Sequence, residues 1–156
     1  MKALLLVTLL VIGQSAYSAS TGTLFLSGTI AAVNDLVITP YADATNLNII
    51  TGETAKLVAK ATETSNSLAG YRISARSANA SKLVNTINSG YYTTYTFSYN
   101  GGSYITLSSS DQDVKNVSSL DGLTTQESDI RVNVAAFPTG PAGTYTDTVT
   151  LSIIAN

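Results

Sequence analysis

The chain has no cysteine and no histidine among its 156 residues, and charged side chains make up only 12% of it. Without histidine, Ser-His-Asp and Cys-His nucleophile systems are excluded, and so are the usual zinc sites. Without cysteine no disulfide can close the fold and there is no thiol to carry a lipoprotein's lipid, so packing and sheet hydrogen bonds alone are expected to hold the domain. So little charge leaves solubility to the hydroxyls and amides of Ser, Thr, Asn and Tyr. A long hydrophobic run is missing too: residues 3–13 are apolar apart from Thr8, but a membrane span needs about 20 residues.

That short run has another use. Met1 and Lys2 give it a positive start, and the small residues Ala16, Ser18, Ala19 and Ser20 follow it, which is the layout of a cleavable signal peptide. Cleavage after Ser18 or after Ser20 puts a small residue three positions upstream, whereas cleavage after Ala19 would put Tyr17 there. A signal peptide over residues 1–20 is therefore expected, with the protein exported and one domain of ordinary size left. Once Lys2 is removed, seven basic side chains face ten acids. That balance offers no basic footprint, and no nucleic-acid partner is expected.

Apolar residues after the signal recur with period two, which predicts strands over 23–33, 36–39, 47–51, 55–62, 70–77, 91–99, 103–107, 129–135 and 144–154. In 55–62, Ala55, Leu57, Ala59 and Ala61 are expected on one face with Lys56 and Lys60 on the other. In 70–77, Tyr71, Ile73 and Ala75 oppose Arg72, Ser74 and Arg76. Such alternation describes an antiparallel sheet with one face buried. Asn100-Gly101-Gly102 supplies the positive φ angles of a tight turn, so 91–99 and 103–107 read as a hairpin. The polar stretch 108–128 reads as a loop containing a short strand or helical turn. Seven or so strands with turn signals and no helix predict an all-β fold, an immunoglobulin-like antiparallel β-sandwich.

Three candidate sites carry little chemistry. The tyrosines of the hairpin could form a stacking platform for sugars, but tyrosine is also an ordinary strand residue with an amphipathic tip. Asp111, Asp113, Asp121 and Asp129 depart from a calcium loop, with Lys115 where an oxygen ligand should fall and no glycine at the turn. The ten acids show no spacing that identifies a catalytic pair, so no enzymatic activity and no cofactor are expected.

The two ends of the mature chain are more informative. "GTLFLSGTIAAVN", residues 22–34, alternates like a strand at the very start, and an exposed apolar strand invites pairing with another chain. "FPTGPAGTYTDTVTLSI", residues 137–153, turns on two prolines and then alternates Tyr145, Val149, Leu151 and Ile153 to one side. This C-terminal stretch resembles the end of chaperone–usher pilins, most closely the spore-coat-U-like pilins of the archaic class, and the start extended to "GTLFLSGTIAAVNDLVI", residues 22–38, is similar to the alternating N-terminal segment of pilins. The likeness covers both ends well and the middle by strand pattern only.

The resemblance implies a sandwich that lacks its last strand, made up of a signal peptide (1–20), an N-terminal donor strand (21–32) and a pilin-type domain (33–156). It implies that Leu24, Leu26, Gly28 and Ile30 are the donor positions, and that Tyr145, Val149, Leu151 and Ile153 line the acceptor groove. Its expected partners are identical or related subunits, a periplasmic chaperone and an outer-membrane usher, and its product is a surface fimbria serving adhesion or biofilm formation on a host or abiotic surface. Classical pilins join their first two strands by a disulfide that this chain cannot make, which leaves the archaic and alternate classes both open. The competing reading is a self-complemented secreted sandwich, a coat or binding protein whose opening strand closes its own sheet.

Overall fold

A computed structural model describes residues 18–156, so the expected signal peptide lies outside the described residues except for residues 18–20. The chain divides into a unit ending at Ile30 and a compact unit Ala31–Asn156. Residues 18–30 form no strand, and Leu24, Leu26 and Ile30 are each at least 80% exposed. The strand expected over 23–33 is thus absent, because a strand exists only where a neighbouring ladder takes up its hydrogen bonds.

The compact unit is an antiparallel β-sandwich. Its strands are β1 (Asn34–Pro40), β2 (Glu53–Ser65), β3 (Tyr71–Ser77), β4 (Lys82–Asn85), β5 (Tyr92–Tyr99), β6 (Gln112–Val117), β7 (Thr124–Val134), β8 (Tyr145–Thr146) and β9 (Val149–Ala155). One sheet has the order β1-β2-β7-β5-β4-β8 and the other the order β6-β3-β9. Every ladder is antiparallel. Between the sheets lie Ala59, Ala61, Phe97, Ile130 and Val132 from the larger sheet and Tyr71, Ile73 and Ala75 from the smaller, all buried, with Leu107.

The local chemistry explains the elements. Asn100 and Gly101 take φ of 50° and 73°, and the Gly102 N–H donates to Tyr99 O at 2.9 Å, closing the turn after β5. Only one bridge, Phe97 to Ile105, continues the hairpin, so the strand expected over 103–107 is reduced to that pair. Residues 47–51 form a turn instead of a strand, because side chains take the backbone's hydrogen bonds: Glu53 Oε1 accepts from Asn48 N and Asn48 Oδ1 accepts from Thr51 N. Leu47 and Ile49 still pack on the core. A single 3-10 turn, Ala42–Thr45, precedes them. The expected short strand within 108–128 is β6, and β7 starts earlier than its apolar run suggests.

Two corrections concern which side chains face inward. In β2 the register against β7 slips between Leu57 and Ala59, so Val58 is an extra residue and is buried. The bulge reverses the alternation: Ala59 and Ala61 are buried, while Ala55 is exposed and Leu57 only half-buried. A second bulge near Ala55, whose φ is 50°, is held by β7 side chains, with Asn133 Oδ1 accepting from Ala55 N and Arg131 donating to Ala55 O. The strand expected over 144–154 is two strands in different sheets, β8 on β4 and β9 on β3.

In β9, Leu151 lies directly across from fully buried Ala75, while Thr150 pairs with exposed Arg76. Leu151→Asp is therefore expected to destabilise the mature protein by about 2 to 4 kcal/mol, and Thr150→Asp to change it by less than about 0.5 kcal/mol. Urea denaturation of the two variants checks this; equal midpoints would mean the assigned face is wrong.

Candidate functional site

The candidate site is the margin of the sandwich where β9 ends the smaller sheet. One edge of β9 pairs with β3, and no strand pairs with its other edge among the described residues. Its free backbone groups are a template for a further strand. The row beneath is apolar: Val149, Leu151 and Ile153 are half-buried and pack on the core, as are Leu36 and Ile38 of β1 across the cleft. Here β1 and β9 approach within 8 Å at Cα without forming a ladder. Toward the start of β9 the cleft widens into an open hollow of about 130 Å³ lined by Ala44, Leu47, Val58, Leu83, Tyr95, Val132, Asp147 and Val149. A larger one of about 500 Å³ adjoins it, between residues 44–49 and 143–147.

Val149, Leu151 and Ile153 therefore lie together along the edge strand. Tyr145 does not share their strand. It sits on β8, donates its hydroxyl to Pro141 O at 2.8 Å and meets the Phe137 ring edge-on at 6.2 Å. The break between the two strands is made by Asp147. One carboxylate oxygen accepts from the Asn79 and Thr148 amides at 3.0 and 2.7 Å, and the other from the Ser77 and Tyr95 hydroxyls at 2.5 and 2.7 Å. Ser77 belongs to the smaller sheet and Tyr95 to the larger, so this carboxylate ties the sheets together where the chain crosses between them.

A second carboxylate does the same at the opposite end of the core. Glu63 on β2 is 0% exposed. Its Oε1 accepts from Tyr99 and Ser128 at 2.6 Å each, and its Oε2 from Tyr71 at 2.5 Å and Lys115 Nζ at 2.6 Å. All four acceptor positions of the carboxylate are filled. Lys115 Nζ also donates to Gln126 Oε1 and Ser128 Oγ at 3.0 and 3.1 Å. Burial pushes the Glu63 carboxyl up, but hydrogen bonds from Lys115, Ser128, Tyr71 and Tyr99 together outweigh it and hold the group below the ordinary carboxylate range. Burial, and then the bond to Glu63, raise Tyr71 and Tyr99 well above ordinary tyrosine; burial and Asp147 do so for Tyr95.

Of the hairpin tyrosines, Tyr95 and Tyr99 are thus buried structural ties while Tyr91, Tyr92 and Tyr104 are exposed, and the expectation of packing and sheet hydrogen bonds alone is corrected by these two carboxylates. One signal for Glu63 was available in the sequence: the inward alternation Ala59, Ala61 continues to Glu63 and Ser65. Of the acidic residues weighed for calcium, Asp111, Asp113 and Asp129 are ion-paired with Arg76, Arg72 and Arg131. Among the described residues no cluster of metal-ligating side chains is arranged to hold an ion. Leu24, Leu26, Gly28 and Ile30 all lie in the strandless segment, and a Cβ built on Gly28 meets nothing within 4 Å. No family model matches the chain, and no curated protein does.

The Glu63 cluster sets the pH range of the fold. A depressed carboxyl contributes stability that is complete above its unfolded pKa of about 4.3 and is lost as pH falls through its lower folded value. The raised tyrosines contribute stability that is complete below about pH 10 and is lost above it. The unfolding free energy should therefore fall on both sides of that window. Glu63→Gln should cost about 3 to 5 kcal/mol at neutral pH, because it leaves Lys115 unpaired, and should flatten the acid limb. Denaturation midpoints from pH 2 to 11 check this; an unchanged acid limb in the variant would remove Glu63 from the role.

Proposed function

We propose that the protein is a structural subunit of a surface fibre, a pilin of the chaperone–usher kind, which polymerises by exchanging N-terminal strands and catalyses no reaction. The observation that carries this is the open edge of β9 above a half-buried apolar row, in a chain that also owns an alternating, exposed segment of matching pattern in Leu24, Leu26, Gly28 and Ile30. The segment of one copy adds to β9 of the next, gaining main-chain hydrogen bonds while alternate side chains enter the cleft. Burying two leucines and an isoleucine contributes roughly 5 to 8 kcal/mol before the ladder is counted. A strand seated between β1 and β9 requires them to stand about 9.6 Å apart, twice the interstrand spacing, so the cleft must open where they now approach within 8 Å.

Export by the signal peptide places the subunit in the periplasm. There a chaperone lends a strand to the same edge and an usher passes the subunit to the growing fimbria, whose surface serves adhesion or biofilm formation. The pilin resemblance of residues 137–153 and 22–38 supports this route.

The mature protein should migrate in detergent without boiling as a ladder of multimers. A full-length variant with Leu24→Asp and Leu26→Asp should stay monomeric, and a synthetic peptide of residues 22–33 should bind it one to one and raise its Tm, while a peptide carrying the same two aspartates should not. A monomer that ignores the peptide and has residues 23–33 paired in its own sheet would establish the self-complemented coat or binding protein instead.

Gly28 gives an independent check. Its neighbourhood within the chain is empty, so Gly28→Leu should leave monomer stability unchanged. Overpacking in the cleft costs about 1 to 3 kcal/mol, so fibre yield should drop on the order of tenfold or more. Equal fibre yield in quantitative electron microscopy would refute the assignment of Gly28 to the cleft.

A further inference from the structure

Apolar side chains are exposed at both ends of the sandwich. Where β1 begins, Leu68 and Leu123 project from the loops after β2 and before β7, beside Val33. At the far end Ile50 and Ile87 project from the loops before β2 and after β4. These four leucines and isoleucines are between 67% and 85% exposed. Apolar groups gathered at opposite ends of the same strands suit two different surfaces of one molecule meeting each other, the geometry of an open chain of copies.

We infer that the two ends form a head-to-tail interface between copies, with Leu68, Leu123 and Val33 of one copy packed on Ile50 and Ile87 of the next. The inference rests on the strand-exchange reading of the β9 cleft, and a side-chain clamp gives it its force. Asn66 Nδ2 donates to Ala31 O and Asn66 Oδ1 accepts from Val33 N, both at 2.8 Å, while Asn66 N donates to Val33 O at 3.2 Å. The chain is therefore fastened to the end loops from Ala31 onward. Ile30, the last donor position, is one Cα step of about 3.8 Å before the clamp. No slack remains, so a copy whose Ile30 is seated in a neighbour's cleft has its Leu68 end against that neighbour.

Strand direction decides which end of the neighbour it meets. The β6-β3-β9 sheet is wholly antiparallel, and a strand that continues it runs antiparallel to β9. β9 begins at the end that carries Ile50 and Ile87 and runs toward Tyr71. The added strand runs the opposite way, so its last residue, Ile30, arrives at the Ile50 and Ile87 end. Seating the strand therefore brings the two apolar ends together, unlike against unlike.

The absence of cysteine from the chain makes the test clean. Cysteine is placed at Leu68 or Leu123 in combination with Ile50 or Ile87, giving four double variants of the mature protein; fibres are grown, oxidised mildly and boiled in detergent without reductant. At least one pair should give a covalent ladder in place of a single monomer band, while each single variant gives monomer and the control pair Val37→Cys with Ile87→Cys gives no ladder. Normal fibres that yield no ladder from any of the four pairs would overturn the interface and leave strand exchange standing. Covalent dimers from Leu68→Cys alone, or an equal ladder from the control, would also overturn it. Failure of the unmodified protein to form fibres would take both readings down together.

Discussion

A negative charge buried between two sheets is the constraint on which this fold turns. Glu63 has no contact with solvent, and an ionised carboxylate is tolerated there only because each of its oxygens accepts two hydrogen bonds. Two of the donors, Ser128 and Tyr99, come from the larger sheet; the other two, Tyr71 and Lys115, come from the smaller. The sheets cannot part at this end without leaving a charge in an apolar interior, a penalty larger than that of losing an ordinary contact. In a chain with no cysteine, this polar junction acts where a covalent cross-link could have served.

Asp147 repeats the arrangement at the other end with Ser77 and Tyr95. Between the two carboxylates, Phe97 and Ile73 fill the core. The ties reach β3 and β6 at one end and the start of β9 at the other. Along the rest of β9 only the ladder to β3 and a half-buried apolar row hold the strand. The core is therefore firmly closed while one margin stays open, a division that would suit the proposed subunit, folded as a monomer and able to take up a strand from elsewhere. The β bulge at Val58 contributes to the open margin, because it turns Val58 into the hollow beside Val149.

The segment ending at Ile30 and the clamp at Asn66 bear on the proposed assembly. Asn66 holds two backbone positions of β1's approach through a single amide, using both its donor and its acceptor. Its effect is to set where the body of the domain begins, at Ala31, and so, in the proposed fibre, how closely a neighbouring copy would lie.

Much of this architecture could be read locally. Alternation in Tyr71, Ile73 and Ala75, the Asn100-Gly101 turn and the inward row Val149, Leu151, Ile153 depend on a period of two and on φ preferences, which neighbouring residues specify between them. Other features depend on partners far away in the chain. The bulge at Val58 is a matter of register against β7, the turn at 47–51 is made by Asn48 and Glu53 competing with a ladder, and β4 is too short to announce itself. The sequence by itself determined that the domain is all-β and, where no bulge intervenes as it does in β2, which face of a strand is apolar, because those follow from side-chain spacing along one strand. Only the tertiary structure decided that Glu63 is a buried tie, that Asp147 splits the last strand between two sheets, and that the edge of β9 is left unpaired. Each of these requires donors or ladders from residues between a few and dozens of positions away, which no local pattern encodes.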